Sequence, residues 1–259
     1  MKQRIISALI AIAIALYPLI FGGITLELLV AFIAVVAAYE FIKVSCGQLD
    51  LPLFISVILF IALSILIPNY SFAWALLDII WLFFLAVYFE KYSYALVCEV
   101  FVISLVITCA IATVAFLYRN SKPLLFYMLL IAALGADTFA YFGGFTFKKL
   151  GLKTHKMNER VSPKKTVEGA LIGWLLGGLA AFGFAACFNY LGYELWEIAI
   201  LACFLPLVSQ VGDLSFSLIK RHYGVKDFGN IMPGHGGVLD RLDSVLFCLV
   251  FLRAMMIIL

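Results

Sequence analysis

The residues best suited to chemistry in this chain lie close together, between positions 217 and 243. This stretch reads SLIKRHYGVKDFGNIMPGHGGVLDRLD and combines lysine, arginine, aspartate, glycine and histidine. The sequence on either side of it is mostly apolar. A charged side chain at the centre of a bilayer costs about 2.5–3.5 kcal/mol, so charges in such a setting usually serve a function. The stretch therefore predicts an active site for a charged ligand.

Aspartates in and beside this stretch have the spacing of a divalent-cation site. Asp213, Ser217 and Lys220 are four and three residues apart, so a helix presents them on one face. Asp240 and Asp243 share a face of the next predicted helix, and the short connection is expected to bring the two faces together. Carboxylates beside basic groups are typical ligands of Mg²⁺ bridged to substrate phosphates. We predict a metal site, the alternative being a lattice of Asp–Lys/Arg pairs that closes the helix ends.

A glycine-rich loop joins these two predicted helices. Gly236 and Gly237 come directly before the second helix, and glycine lets backbone N–H groups approach a ligand closely. Because a helix N-terminus binds anions, the loop predicts a phosphate site. His235 is expected to donate a hydrogen bond to phosphate or to transfer a proton. The alternative for this histidine is a structural hydrogen bond within the loop.

A second polar string, Ser162-Pro163-Lys164-Lys165-Thr166-Val167-Glu168-Gly169, lies upstream. Serine followed by proline is typical of an N-cap with proline at the first helical position, so a helix is predicted to start there. Lys164 and Lys165 would then bind a polyphosphate both by charge and by the helix dipole. The alternative is the basic flank of a membrane helix.

Asp137, within GADTFAYFGG, is placed at the end of the predicted sixth helix. It either adds a third acidic group to the same pocket or pairs with a lysine of the following loop. Asp78 and Glu99 lie in apolar helices without a motif. We leave these two out of the predicted site, although carboxylates inside membranes often have a functional role.

The composition indicates an integral membrane protein. Of the 259 residues 65% are hydrophobic and 13% are charged, whereas a soluble domain is near half apolar and a quarter charged. A soluble enzyme, a nucleic-acid-binding protein and a secreted scaffold are therefore excluded. The six cysteines are scattered singly and are expected to be apolar packing residues. The N-terminal apolar segment lacks a convincing cleavage site and is expected to be a retained helix.

Apolar runs near the length of about 20 residues that crosses a bilayer predict an all-α, polytopic bundle of about nine transmembrane helices. They lie near 5–21, 24–43, 51–67, 72–89, 93–118, 123–145, 167–188, 196–219 and 238–258. Residues 1–120 contain no motif. Residues 121–259 are the predicted catalytic region, with cytoplasmic loops 146–166 and 220–237.

The distribution of basic residues predicts the orientation. With the N-terminus inside, fourteen lysines and arginines fall in cytoplasmic segments, whereas the opposite loops hold Arg119 and Lys122 alone. Both long polar loops then face the cytoplasm, where nucleotides are found. The predicted location is the inner (cytoplasmic) membrane of the cell.

As a whole, the polar stretch resembles the signature of the phosphatidate cytidylyltransferases (CDP-diacylglycerol synthases). The matching positions are Ser217-x-Ile219-Lys220-Arg221, Lys226-Asp227 and Pro233-x-His235-Gly236-Gly237-Val238-x-Asp240-Arg241-Leu242-Asp243. Matches continue upstream at Asp137-Thr-x-Ala-Tyr141, Ser162–Thr166 and Gly212-Asp213-Leu214, so the resemblance covers residues 130–245. Phe216, where many members have glutamate, and Phe145, where a basic residue is usual, depart from the pattern.

The resemblance implies a Mg²⁺-dependent reaction in the lipid bilayer, CTP + phosphatidate → CDP-diacylglycerol + pyrophosphate. It implies Asp213 and Asp240 as the principal metal-binding carboxylates, with Asp243 as a further metal ligand in a helping role and Asp227 as a second helper. Catalytic roles are implied for Asp213, Asp240, Lys220, Arg221 and His235. Substrate contacts are implied for Ser162, Lys164, Lys165, Thr166, Asp137, Ser217, Lys226, Asp227, Gly236, Gly237 and Arg241. No nucleic-acid partner is expected, and a second, monovalent cation and a homodimer are left open.

Three other functions compete with this one, and the third, a catalytically silent scaffold, is suggested by Phe216 alone. A CTP-dependent nucleotidyltransferase could act instead on an isoprenoid phosphate or another lipid phosphate. An ion-coupled transporter would also use membrane carboxylates, but it predicts broken helices in both halves of the chain. The polar residues here are concentrated in the second half.

Overall fold

The computed structural model describes residues 13–66, 71–232 and 236–258. Over these residues the chain forms nine α-helices: α1 (13–21), α2 (Gly23–Cys46), α3 (Leu51–Leu66), α4 (Ser71–Tyr88), α5 (Tyr94–Arg119), α6 (Pro123–Lys149), α7 (Val167–Cys187), α8 (Leu195–His222) and α9 (Leu239–Ile258). Strands β1 (Lys156–Asn158) and β2 (Ser162–Thr166) lie between α6 and α7, and a short 3-10 helix (Asn189–Gly192) follows α7. Helices dominate because an apolar solvent forces the backbone to satisfy its own hydrogen bonds.

The nine predicted helices coincide with α1 to α9, except that residues 5–12 of the first lie outside the described residues. Five of the described helices, α2, α5, α6, α7 and α8, are long and apolar enough to cross a membrane. Helices α3 and α4 are also apolar, but their apolar stretches, Leu51–Leu66 and Ala73–Tyr88, are shorter than those five helices. The chain is therefore a multi-pass, helical membrane protein, and the number of nine crossings stays a prediction.

Helix α6 is longer than the sequence predicted. It continues to Lys149, so Asp137 lies about three turns before its end and not at its end. The predicted helix ended near residue 145, and Gly143 and Gly144 just before that point are helical in the structure. A Cβ atom at Gly143 would lie 2.9 Å from the Cδ1 atom of Ile172. This glycine therefore permits close packing of α6 on α7 and does not terminate the helix.

The predicted helix start at Ser162 is wrong. Ser162–Thr166 forms strand β2, which pairs antiparallel with β1 in the register Lys156↔Thr166 and Asn158↔Ser162. Proline has no N–H to donate but is tolerated at the edge of a sheet, as Pro163 is in this two-stranded one. The N-cap of α7 is Thr166, whose hydroxyl accepts a hydrogen bond from the Gly169 N–H at 3.2 Å. Lys164 and Lys165 consequently lie on a strand.

The described chain divides into two compact units. The first contains the described residues up to Tyr118 together with Val225–Leu242, and the second contains Arg119–Gly224 together with the described residues from Asp243. A catalytic region that begins near residue 121 stays a prediction, since the glycine-rich loop groups with the N-terminal helices. Helix α9 begins in the first unit and continues in the second. In the first unit, α2 packs against α3 and α3 packs against α4.

Helices α6, α7 and α8 pack against one another in the second unit. Three buried glycines spaced four residues apart line one face of α7, Gly169, Gly173 and Gly177. A Cβ atom at Gly173 would lie 2.3 Å from the Ala136 carbonyl oxygen of α6, which is impossible without moving a helix. Small residues at this spacing are typical of closely packed membrane helices. The close contacts place the start of α7 beside Ala140 and Gly144, in the C-terminal half of α6.

Candidate active site

A cavity of about 490 Å³ lies within the second unit. Residues of α6, β2, the start of α7 and α8 line it. Its charged lining residues are Asp137, Lys148, Lys164, Lys165 and Asp213. Apolar and aromatic side chains, among them Tyr141 and Phe145, line it as well. The cavity therefore offers both a strongly charged surface and an apolar one.

The link between β2 and α8 in this cavity is a contact between Lys165 and Asp213. The Lys165 ammonium donates to Oδ2 of Asp213, while the Ser217 hydroxyl donates to Oδ1 at 3.3 Å. The Lys165 and Asp213 side chains are about a quarter exposed, so a ligand can reach them. The bond from Ser217 shows that these two α8 residues share one face. Asp137 interacts electrostatically with both Lys165 and Asp213.

Another acidic residue of the unit, Asp243, pairs with Lys220. Their Nζ and Oδ2 atoms are 3.7 Å apart, and both side chains are about nine-tenths buried. Asp243 Oδ1 also accepts the Ser244 N–H at 2.8 Å. Asp243 interacts electrostatically with Asp213 and Asp137. These three carboxylates, Asp137, Asp213 and Asp243, form the acidic group of the second unit.

The acidic group suits a hard cation that is shared with a substrate. Within the described ranges, no set of three or more His, Cys, Asp or Glu side chains is arranged to hold a metal ion by itself. Mg²⁺ does not require such a set, because it commonly takes one or two carboxylates and completes its shell with water and substrate phosphates. The donor chemistry of Asp213 and Asp243 therefore fits Mg²⁺ bound together with a polyphosphate.

Asp240 occupies a different environment, in the first unit. Its Oδ2 accepts hydrogen bonds from the N–H groups of Phe228 at 2.7 Å and Gly237 at 2.9 Å. Gly236, with φ of 88°, passes close to this oxygen, and a Cβ atom there would lie 3.1 Å from it. One carboxylate oxygen of the predicted principal metal ligand thus holds the glycine-rich loop. Because Asp213 belongs to the other unit, the approach of Asp240 to Asp213 stays a prediction.

The predicted phosphate site at the start of α9 contains a carboxylate of the chain itself. Glu40 of α2 accepts hydrogen bonds from the N–H of Val238 through Oε1 at 3.1 Å and from the N–H of Leu239 through Oε2 at 2.9 Å. The Gly237 N–H is bonded to Asp240. Three successive donors, the N–H groups of Gly237, Val238 and Leu239, therefore have partners within the chain. Phosphate binding at this helix start stays a prediction.

Glu40 belongs to no motif of the sequence. It is 1% exposed in an apolar helix and nearly 200 positions away from its partners, so no local pattern contains it. The rule that singles out carboxylates in apolar helices would have found it. The signal was present in the sequence, but nothing there indicated the partner.

The other predicted residues divide between the two units. In the second unit are Ser162 and Thr166 of β2 and Arg221 at the exposed end of α8. In the first unit are Lys226, Asp227 and Arg241, all exposed. His235 lies outside the described residues, as do the N-terminal basic residues used to predict the orientation. Thr166 is buried and caps α7, so its hydroxyl has a structural partner.

The chain is similar to known proteins over nearly its whole length. The sequence profile of the Cytidylyltransferase family matches residues 2–259. Phosphatidate cytidylyltransferases of Staphylococcus haemolyticus and Staphylococcus saprophyticus are 32% and 33% identical over 267 aligned positions, which cover 99% of both chains. The protein of the same name from Staphylococcus aureus is 32% identical with the same coverage. The chain belongs to the cytidylyltransferase family.

The family match extends beyond the signature residues. The resemblance read from the motifs covered residues 130–245, whereas the family match also includes α1 to α5. The N-terminal helices, including α2, therefore fall within the region that the family match covers. Of the acidic group, Asp137 and Asp213 line the same cavity as Lys164 and Lys165 of β2.

Proposed function

We propose that this chain is a phosphatidate cytidylyltransferase, which transfers CMP from CTP to phosphatidate and releases pyrophosphate. The observation that carries the proposal is the contact of Lys165 with Asp213, which joins the basic strand to the acidic group beside one cavity. Relatives about 32% identical over 99% of the chain carry the name of this activity. The product, CDP-diacylglycerol, serves phospholipid synthesis.

The reaction asks for positioning and charge stabilisation more than for a strong base. An oxygen of the lipid phosphate forms a bond to the α-phosphorus of CTP, while the bond from that phosphorus to the β-phosphate oxygen breaks. The lipid phosphate is already ionised near neutral pH, so it is a competent nucleophile. Lys164 and Lys165 line the cavity, which supports a role for them in binding the triphosphate and in stabilising the charge that develops on pyrophosphate.

We assign Asp213 and Asp243 as the residues that hold Mg²⁺, with Asp137 adding negative charge beside them. The bound cation supplies charge neutralisation between the nucleotide phosphates. Lys220 opposes Asp243 and keeps that carboxylate in place through a buried ion pair. The family resemblance adds Asp240 to the metal ligands, and this residue acts here as the holder of the glycine-rich loop through Oδ2.

The apolar lining of the cavity suits the lipid substrate. Tyr141 and Phe145 are 69% and 56% exposed and line the cavity next to its charged residues. Phe145 replaces a basic residue that is usual in the family, so this chain has an apolar surface where a charge is common. Such a surface can contact acyl chains while the charged residues bind phosphates.

The orientation and location belong to the same proposal. The excess of basic residues in one set of loops supports a cytoplasmic position for strand β2 and its lysines. CTP would then enter from the cytoplasm and phosphatidate from the bilayer of the cytoplasmic membrane.

The proposal is tested by measuring pyrophosphate release by purified protein in lipid nanodiscs supplied with CTP and Mg²⁺. We expect release when phosphatidate is present, little with an isoprenyl phosphate, and none after chelation of Mg²⁺. Release only with the isoprenyl phosphate would replace the lipid substrate in the proposal. No release with either lipid, from protein that is folded and binds CTP, would reject the activity altogether.

A further inference from the structure

Glu40 of α2 reaches the start of α9 and holds it from outside that helix. Each of its carboxylate oxygens accepts one backbone N–H, from Val238 and from Leu239. A helix N-terminus carries unsatisfied N–H groups and partial positive charge, and a carboxylate is a suitable partner for both. Glu40 therefore closes the first turn of α9 although it lies on a distant part of the chain.

Two glycines of the loop are shaped around this carboxylate. A Cβ atom at Gly229 would lie 2.3 Å from Glu40 Oε1, and one at Gly237 would lie 2.4 Å from Oε2. Neither glycine has a positive φ, so the backbone conformation alone does not require glycine there. The reason for glycine at these two positions is the space taken by the Glu40 side chain.

The same loop is held from its other side by Asp240. The Gly237 N–H donates to Asp240, while the next two N–H groups donate to Glu40. The carboxyl groups of Glu40 and Asp240 are both buried and lie close enough to interact electrostatically. A small displacement of Glu40 would therefore move both the start of α9 and the carboxylate of Asp240.

We propose that Glu40, which lies outside the signature, is a positioning residue that fixes the glycine-rich loop and through it Asp240. Glu40 also fills the anion site at the start of α9, so the phosphates of the nucleotide bind elsewhere, at the lysines of β2. The expected effect of Glu40 on turnover rests on the proposed function, whereas its expected effect on the loop does not.

The first test measures the loop without any substrate. Hydrogen–deuterium exchange followed by mass spectrometry reports the amides of a peptide spanning residues 228–242. Gln in place of Glu40 offers one acceptor oxygen instead of two and turns an NH₂ group toward a backbone donor. We expect Glu40→Gln to raise exchange in this peptide on the order of tenfold or more. Glu27→Gln is the matched control, because Glu27 lies on the same helix but is exposed. Equal exchange in the wild-type protein and Glu40→Gln would overturn the proposal.

A double-variant cycle tests the fit between Gly237 and Glu40, and its Gly237→Ala arm keeps Glu40 and so does not require a folded Glu40 variant. Gly237→Ala keeps the N–H that Asp240 accepts, but its methyl group collides with the Glu40 carboxylate. We expect this substitution to raise exchange strongly in the wild-type background and only slightly in a Glu40→Ala background. Equal effects in the two backgrounds would show that the glycine does not serve Glu40 and would reject the inference.

Turnover then separates positioning from substrate binding. Misplacement of a catalytic group by about 1 Å can cost on the order of 10²-fold in rate. We expect Glu40→Gln to lower kcat by this order while KM for CTP changes much less. A rise in KM with unchanged kcat would instead place Glu40 in nucleotide binding and overturn its positioning role. If wild-type protein releases no pyrophosphate but the exchange results hold, the proposed function fails and the role of Glu40 in the loop stands.

Discussion

Lys165, on strand β2, donates to the carboxylate of Asp213 on helix α8, 48 positions along the chain. The contact is made possible by the hairpin, which turns Lys165 toward the cavity, and by the glycine face of α7, which lets its helix neighbours come close. A basic residue beside a carboxylate balances the charge of the acidic group while no nucleotide is bound. We expect the triphosphate to compete with Asp213 for this ammonium.

Lys165→Gln tests whether this lysine serves the reaction. The change removes the positive charge but keeps a hydrogen-bond donor of similar length. We expect kcat/KM for CTP to fall on the order of 10²-fold, as when one strong electrostatic group of a transition state is removed. Lys153→Gln, in the same connection between α6 and α7 but exposed and outside the cavity lining, is the control. Equal kcat/KM in the two variants would exclude Lys165 from the site.

The Lys220–Asp243 pair offers a test that separates stability from activity. Asp243→Asn removes the charge that faces a nine-tenths buried ammonium, which costs on the order of 3 kcal/mol for such pairs. We expect a lower thermal midpoint and much lower turnover. Replacing both partners by apolar residues, as in Lys220→Met with Asp243→Leu, should recover much of the midpoint, because apolar pairs can substitute for buried ion pairs.

Turnover is the deciding measurement on that double variant. If Asp243 is a metal-binding carboxylate, activity stays lost although the thermal midpoint returns. Recovered activity would assign the pair a structural role alone.

The packing of α7 on α6 predicts opposite effects at two glycines of one helix. Gly173→Ala places a methyl group against the Ala136 carbonyl oxygen, so it should lower the thermal midpoint and widen the cavity. Gly183→Ala has open space around the new methyl group and should raise helix stability by about 0.8–1 kcal/mol. Differential scanning fluorimetry of the two variants checks the sign of each change. A Gly173→Ala protein as stable as Gly183→Ala would contradict the close contact.

A cluster in the first unit predicts how stability responds to acid. Partial burial of Asp50 tends to raise the pKa of its carboxyl. Hydrogen bonds from Lys91, Tyr92 and the Leu53 N–H lower this pKa by more than burial raises it, so the pKa lies below its ordinary value. A carboxyl with a depressed pKa in the folded state stabilises the fold above its unfolded pKa and loses that contribution as pH falls through its folded pKa.

Asp50→Asn should therefore have a lower thermal midpoint than the wild-type protein at pH 7. The difference between the two should shrink below about pH 4, where the wild-type carboxyl becomes protonated. Because Lys91 is more than half exposed, high salt should also reduce the difference at pH 7. A difference that does not change between pH 7 and pH 3 would show that the charge of Asp50 contributes nothing.

Much of the fold was accessible from sequence, because long apolar runs in a membrane protein can form little else than helices. The errors came where a local pattern had two structural solutions. Ser162-Pro163 suits the start of a helix, but here it opens a strand, and the N-cap is Thr166. The sixth helix was predicted to end near residue 145, but α6 continues to Lys149, and Gly143 within it allows α6 to pack on α7. Which solution forms depends on a neighbouring element that the local sequence does not contain.

The candidate site, like the fold, was predictable from the sequence only in part. The residues that carry the chemistry are recognisable from their types and spacing, since one helix turn brings Ser217 to Asp213. The partner of the α9 N-terminus is not recognisable in that way, because Glu40 lies on a helix nearly 200 positions earlier.

The sequence by itself determined the membrane class, the helical segments and the family, because composition, apolar run length and motif are properties of neighbouring residues. Tertiary structure decided that Lys165 contacts Asp213 and that Glu40 occupies the helix terminus expected to bind phosphate. The physical reason is that a buried charge takes whichever partner the packing of distant helices brings within hydrogen-bonding distance.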